Sequence, residues 1–417
     1  MGRSLTFDIT VLLIIVGSGA IAFYMAWSIG ANDVANSMAT AVGAKAITFN
    51  QAVFIAGILS IVGAVFVGGH VTDTVRKGIV DVAGISSHIL LLGFIASLLA
   101  AAIWVTLSTW KSMPISTTHS IIGALVGFGL IVGGTSTVMW DKVGSVIASW
   151  ILSPLFGCIL AFIIFKLIVK TIFSKENPVN SAKVIGPVII GFTAFLIVSS
   201  LFLKTPLSKN YNISDTLGIG IATVIAILVG IIGINALRNI EAKMKDDYFT
   251  VEGIFRKLQI ITSCYVAFAH GANDVANAIG PVAAIVPLAQ GAELGAKVDV
   301  PYTLLLLGGA GIAIGCWTWG RRVMRTVGKR ITSLTNTRGF SVDFGAATTV
   351  LIASKLGMPI STSHTVVGAV IGVGLARGLE AIDLGIIKKI IVSWLLTLPV
   401  AAGTSIGIFL LLRIIIG

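Results

Sequence analysis

Long apolar runs alternate along this chain with short stretches that concentrate its charge. Val184 to Leu203 and Leu217 to Leu237 contain no Asp, Glu, Lys or Arg, and comparable runs recur along almost the whole sequence. A bilayer core roughly 30 Å thick is crossed by about 20 apolar residues of helix. A closed membrane barrel would show about 10-residue segments of alternating polarity instead. The pattern predicts an all-α polytopic membrane protein with about 12 transmembrane segments. Runs beside the polar motifs are candidates for re-entrant or broken helices rather than full crossings.

The pattern is also duplicated. Gly30-Ala31-Asn32-Asp33-Val34-Ala35-Asn36 returns unchanged as Gly271 to Asn277, 241 positions on. Met113-Pro114-Ile115-Ser116-Thr117-Thr118-His119 returns as Met358-Pro359-Ile360-Ser361-Thr362-Ser363-His364, 245 positions on. Ser149-Trp150 is echoed by Ser393-Trp394. The organisation expected is a first repeat over 1–172, a connector with two further transmembrane helices over 173–249, and a second repeat over 250–417.

Composition sharpens this picture. With 56% hydrophobic and 11% charged residues and a mean hydropathy of +1.01, the chain lies far from soluble globular proteins. The net charge of +12 does not point to nucleic acid, because Lys and Arg sit in short loops between apolar runs. That placement is the bias of cytoplasmic loops in membrane proteins. Arg238 to Lys257 and the loop holding Arg321, Arg322, Arg325, Lys329, Arg330 and Arg338 are both strongly basic, whereas the region His70 to Asp81 is not. The asymmetry predicts two repeats inserted in opposite directions, with the N-terminus outside. The first apolar run reads as a retained span rather than a signal peptide. Cys158, Cys264 and Cys316 are too scattered for a disulfide framework or a metal site. No G-x-x-x-x-G-K-[ST] occurs, so neither an enzyme nor an ATP-driven pump is expected, and no cofactor.

Polar residues inside apolar runs carry the chemistry. A carboxylate in hydrocarbon costs at least about 2.5–3.5 kcal/mol on insertion scales, so Asp33 and Asp274 are functional candidates. On a helix, Asn32 and Asn36, like Asn273 and Asn277, share a face with the Asp between them. The face offers a carboxylate and amide carbonyls, ligands that suit a hard cation such as sodium. The alternative is that these groups merely join helices or cap a broken one. In the second motif, Pro114 and Pro359 suit the first turn of a new helix, with Ser112 and Gly357 as its caps. Its unpaired N–H groups, with Ser116, Thr117 and Thr118 or Ser361, Thr362 and Ser363, would make an anion site without a full charge. Phosphate or sulfate would fit; the alternative is a kinked helix whose hydroxyls bond back to their own carbonyls. His119, His364 and His270 are either proton relays or neutral rings bonded between helices. Lys45 and Lys355 are expected to snorkel to the interface.

The two duplicated motifs, GANDVAN and PIST(T/S)H, resemble those of the inorganic phosphate transporter (PiT) family, the cation-coupled phosphate permeases. The resemblance covers nearly the whole chain. It implies inverted repeats, alternating access, and symport of phosphate with sodium in a plasma membrane (a cell inner membrane), the partners being phosphate, sodium and the lipid bilayer. It places sodium at Asn32, Asp33, Asn36, Asn273, Asp274 and Asn277. Phosphate falls to Ser116, Thr117, Thr118, Ser361, Thr362 and Ser363, together with Asn36 and Asn277. A homodimer is a candidate assembly. A proton-coupled metal-phosphate or sulfate permease is the alternative, and an anion channel is a third class. Because an anion beside two buried carboxylates needs accompanying cations, phosphate and cation must help each other bind. Titration calorimetry should show sodium tightening phosphate and phosphate tightening sodium by the same factor. Equal phosphate affinity with and without every candidate cation would contradict the coupling.

Overall fold

A computed structural model describes residues 9–69, 79–82, 84–203, 212–238, 247–291, 300–329, 333–355, 360–378 and 382–416. Their architecture is helical throughout: α1 (Ile9–Gly43), α2 (Phe49–Val67), α3 (Ser87–Trp110), α4 (Thr117–Gly133), α5 (Trp140–Ile168), α6 (Pro178–Phe202), α7 (Asp215–Arg238), α8 (Asp247–Ala289), α9 (Tyr302–Trp319), α10 (Arg321–Lys329), α11 (Asn336–Lys355), α12 (Thr362–Arg377) and α13 (Leu384–Ile416). Among the described residues, ten helices are long and apolar enough to cross a bilayer. The two helices that complete the expected dozen, α11 and α12, fall short of that measure for a physical reason. α11 carries Arg338 and Asp343, and α12 is only 16 residues long. α10 is a short amphipathic piece that follows α9 after one glycine, burying Val323, Met324 and Val327 while Arg321, Arg322 and Arg325 stay exposed.

The duplication reappears as an exchange of partners. α1 packs on α9 while its counterpart α8 packs on α2; α5 packs on α12 while α13 packs on α4. Each repeat thus supplies one helix to each of these four interfaces. The direction of the helices follows from which residues touch. Gly311 lies against Phe23 and Ala26, and Gly315 against Trp27 and Ala31, so α9 and α1 run the same way. Gly271 lies against Ser60 and Gly68 against Val275, so α8 and α2 also run together. Since α2 follows α1 back through the short connection at 44–48, α8 runs opposite to α1. The two repeats are therefore inverted, the plan that residue-level charge asymmetry predicts.

Close approach depends on missing side chains. A methyl group on Gly315 would strike the Trp27 carbonyl oxygen, and one on Gly271 the Ser60 carbonyl oxygen. Small residues let helix backbones meet in this way where apolar burial alone provides no preference for protein over lipid. α6 and α7, the additional pair, form their own hairpin with Gly191 against Ala226 and Gly233 against Pro187, and its other faces carry exposed Val188, Ile227 and Ile232.

The α3–α4 hairpin turns back inside the molecule. Ser97 Oγ donates to the Ala124 carbonyl at 3.3 Å, and the Met113 carbonyl that follows α3 sits beside Asn32. Asn32 lies eleven residues, about 16 Å, before the end of α1. The tip of the hairpin therefore stops at the depth of the acidic motif. The corresponding tip between α11 and α12, with Gly357, Met358 and Pro359, lies outside the described residues.

Gly315→Ala and Gly271→Ala are expected to destabilise the detergent-solubilised protein by about 1–3 kcal/mol, the usual cost of overpacking a tight contact. Gly403→Ala, at a position with open space around it, should leave the unfolding midpoint unchanged. Thermal unfolding of the three variants tests the packing.

Candidate functional site

Both acidic motifs lie in the middle of continuous helices, α1 and α8, and every residue from Gly30 to Asn36 and from Gly271 to Asn277 is buried. Asp33 and Asp274 have no exposed surface. Carboxylates so placed need donors, and the hydroxyl motifs supply them. Thr117 Oγ1 donates to Asp33 Oδ2 at 2.8 Å, and Ser363 Oγ to Asp33 Oδ1 at 3.3 Å. Thr362 Oγ1 donates to Asp274 Oδ2 at 3.2 Å, and Asn273 Nδ2 to Asp274 Oδ1 at 2.8 Å.

The amides three residues on complete the exchange. Asn36 Nδ2 donates to Ser363 Oγ at 2.8 Å and to Thr362 Oγ1 at 3.2 Å. Asn277 Nδ2 donates to Thr118 Oγ1 at 3.1 Å and to Thr117 Oγ1 at 3.5 Å. Each Asp is thus bonded by the threonine of its own repeat, while each of these Asn reaches the hydroxyls of the other. The four stretches form one network, which a single repeat could not build.

Two helices start at this network, though not where Pro114 suggests. α4 begins at Thr117, capped by Ser116, whose Oγ accepts from the His119 N–H at 3.2 Å. α12 begins at Thr362, capped in the same way by Ser361 and the His364 N–H, also at 3.2 Å. Ser112 is not the cap: it sits at φ +57 in the turn after α3. The reason is Asn32. Its Oδ1 accepts from Ile115 N–H at 3.3 Å and its Nδ2 donates to the Met113 carbonyl at 3.1 Å and to Thr109 Oγ1 at 2.9 Å, which holds 113–115 extended and delays the helix. Ser116 and Ser361 spend an acceptor position on capping and keep their O–H free to donate. Asn32 is engaged with the hairpin, so within the proposed ligand set it differs from Asn36 and Asn277. Lys45 is exposed beyond the end of α1, away from the network; the side chain of Lys355 lies outside the described residues.

Three further groups are prominent in the structure. His270, one turn before Asp274, places Nε2 3.0 Å from Asp274 Oδ2 and 3.9 Å from Asp33 Oδ2. Ligand atoms of Asp33, His270 and Asp274 all lie within 4.8 Å of one another. The first repeat has Ile29 at the matching place, so symmetry argued against His270 where geometry includes it. The second is Asp343 in α11, a fully buried carboxylate that accepts from Thr40 Oγ1 at 2.6 Å and Ser263 Oγ at 2.5 Å, tying α1, α8 and α11 together. The rule that singled out Asp33 applies equally to this lone acid among apolar neighbours. The third is an aromatic stack. His119 stacks on Trp150 with ring centres 3.5 Å apart, His364 on Trp394 at 3.6 Å, and the two histidines meet edge-on at 4.3 Å. The Ser-Trp echo in the sequence is the outer half of this stack.

Such a network can do two things. Its carboxylates and hydroxyl oxygens offer hard oxygen ligands to a cation. The first turns of α4 and α12 present N–H groups and hydroxyls to an anion. A protein that carries both, in inverted repeats with broken helices, has the layout of a secondary transporter rather than of an enzyme.

Comparison with known proteins agrees. The chain is 54% identical over 408 residues to a candidate phosphate permease of Pyrococcus horikoshii, covering 98% of each. It is 42% identical to inorganic phosphate transporter 2-1, chloroplastic, of Arabidopsis thaliana, over 92% of this chain and 70% of that protein. A solved structure titled "The sodium-dependent phosphate transporter" superposes with a TM-score of 0.90 at 45% identity, covering 96% of this chain and 99% of that one. Residues 29–405, which include both copies of both motifs, match the family model described as the Phosphate transporter family, and the chain belongs to that family.

Proposed function

We propose that this protein is a secondary active symporter that carries inorganic phosphate with sodium by alternating access. The observation that carries the reading is the convergence of all four motif stretches on one buried network, in which hydroxyls at two helix N-termini donate to two carboxylates. Phosphate is held by the first turns of α4 and α12, through Ser116, Thr117, Thr118, Ser361, Thr362 and Ser363, with Asn36 and Asn277 reaching the same hydroxyls. Sodium is held at Asp33 and Asp274 with their neighbouring Asn. The likeness to a structure titled as a sodium-dependent phosphate transporter supports sodium as the partner.

The geometry suggests how the two cargoes couple. The hydroxyls of Thr117 and Thr362 donate to carboxylates. A hydroxyl has one proton and two lone pairs. A cation that binds the carboxylate and the hydroxyl oxygen together turns that proton away, toward an incoming anion. It also cancels the charge that would repel phosphate in a low-dielectric pocket. Neither cargo then binds well alone.

The exchange of partners between halves supports the division at 1–172, 173–249 and 250–417, and the basic loops support an external N-terminus in the plasma membrane. A second reading is proton coupling, favoured by one observation: His270 stands against both carboxylates, where it could carry a proton in place of a metal cation. Uptake of radiolabelled phosphate into proteoliposomes under separately imposed sodium and proton gradients decides between them.

Asp33→Asn and Asp274→Asn should each abolish sodium-driven uptake. Thr117→Ala and Thr362→Ala should retain uptake with a phosphate KM raised about 3- to 10-fold, the loss of one hydrogen bond of roughly 0.5–1.5 kcal/mol. Undiminished sodium-driven uptake in both Asp variants would remove these carboxylates from the mechanism.

A further inference from the structure

The aromatic stack is symmetric in composition and asymmetric in its bonds. His119 and His364 occupy the third position of α4 and α12, directly after the hydroxyls of the proposed phosphate cradle. Both rings are buried, and each lies flat on the tryptophan of its own repeat. His364 Nδ1 lies 3.4 Å from the Trp150 carbonyl oxygen, on α5 of the opposite repeat. A carbonyl only accepts, so this contact is a hydrogen bond in the tautomer that carries its proton on Nδ1. Neither ring nitrogen of His119 has a hydrogen-bond partner among the described residues.

The sequence explains the difference. In a helix the carbonyl of Trp150 would accept from the N–H four residues on, but that residue is Pro154, which has none. The Trp150 oxygen is thereby left free for an outside donor. The second repeat also has a proline, Pro399, but it stands five residues after Trp394. It frees the carbonyl of Leu395, while Leu398 keeps an N–H for that of Trp394. A one-residue displacement of proline thus removes the acceptor that His119 would need. Packing is close at the same point, since a methyl group on Gly368 of α12 would strike the Pro154 carbonyl oxygen.

We propose that His364 is a positioning residue for phosphate: through the carbonyl that Pro154 exposes, it fixes the first turn of α12 against α5 of the other repeat, a tie that His119 does not make for α4. The two halves of the cradle are therefore unequally held. This rests on the reading that phosphate binds at the N-terminus of α12.

His364→Phe keeps a flat ring against Trp394 and removes the donor. It should raise the phosphate KM roughly 3- to 10-fold at saturating sodium, with kcat little changed. His364→Asn, whose amide N–H occupies the place of Nδ1–H, should recover most of the loss, and His364→Gln should not. Pro154→Ala restores a competing helical N–H and should raise KM in the same way. Combined with His364→Phe it should add nothing, because both changes break one bond. His119→Phe should leave KM as it is. The proposal is overturned if His364→Phe leaves KM at the wild-type value, if Asn and Phe at 364 behave alike, or if His119→Phe matches His364→Phe. Thr362→Ala separates the two levels: if it raises KM while His364→Phe does not, only the positioning role fails. If it too is without effect, the assignment of phosphate to α12 fails with it.

Discussion

Two carboxylates with no exposed surface, Asp33 and Asp274, set the terms for the rest of this protein. Desolvating an ionised group is costly unless hydrogen bonds or counter-charges offset it. Here the offset comes from hydroxyls at the starts of α4 and α12, which begin inside the molecule. The α3–α4 hairpin, the capping serines and the cross-repeat asparagines all serve the need to bring donors to acid in a place water does not reach freely.

Inversion of the repeats turns one motif into a closed network. A single GANDVAN helix presents a carboxylate and an amide on one face but has nothing opposite. Placed against a second copy running the other way, its Asn36 finds Thr362 and Ser363, and Asn277 finds Thr117 and Thr118. Contacts such as Gly315 on Trp27 and Gly271 on Ser60 bring α9 close to α1 and α8 close to α2. Exact symmetry is then broken at a few positions. Ile29 faces His270 across the duplication, and Pro154 is one place out of register with Pro399 relative to the tryptophans. Those differences lie in and beside the network.

The membrane class, the duplication and most of the residues that meet in the buried network were legible in the chain. Asp33, Asp274 and the hydroxyl runs stood out because ionisable and polar groups are costly in apolar stretches, and because each motif occurs twice. Less legible were features that depend on where a chain segment is held. Ser112 was a reasonable cap by local preference, yet the helix starts four residues later because Asn32, distant in sequence, binds the intervening backbone. Asp343 belongs to neither duplicated motif, and only packing makes it a buried junction of three helices. His270 lacked a counterpart in the first repeat, and only the crossing of α1 and α8 shows it standing against both acids.

The sequence by itself determined solvent, helicity and inverted duplication, because these rest on hydropathy, length and charge bias, which are properties of contiguous residues. It also marked the polar groups that meet in the network, since carboxylates, amides and hydroxyls are read from residue type. Tertiary structure alone decided which donor meets which acceptor, that Asn32 braces a hairpin while Asn36 and Asn277 cross to the other repeat, and that one histidine of a matched pair is bonded and the other is not. Hydrogen bonds are satisfied over a few ångströms in space, and residues some 80 to 330 positions apart in the chain become neighbours only once the helices have packed.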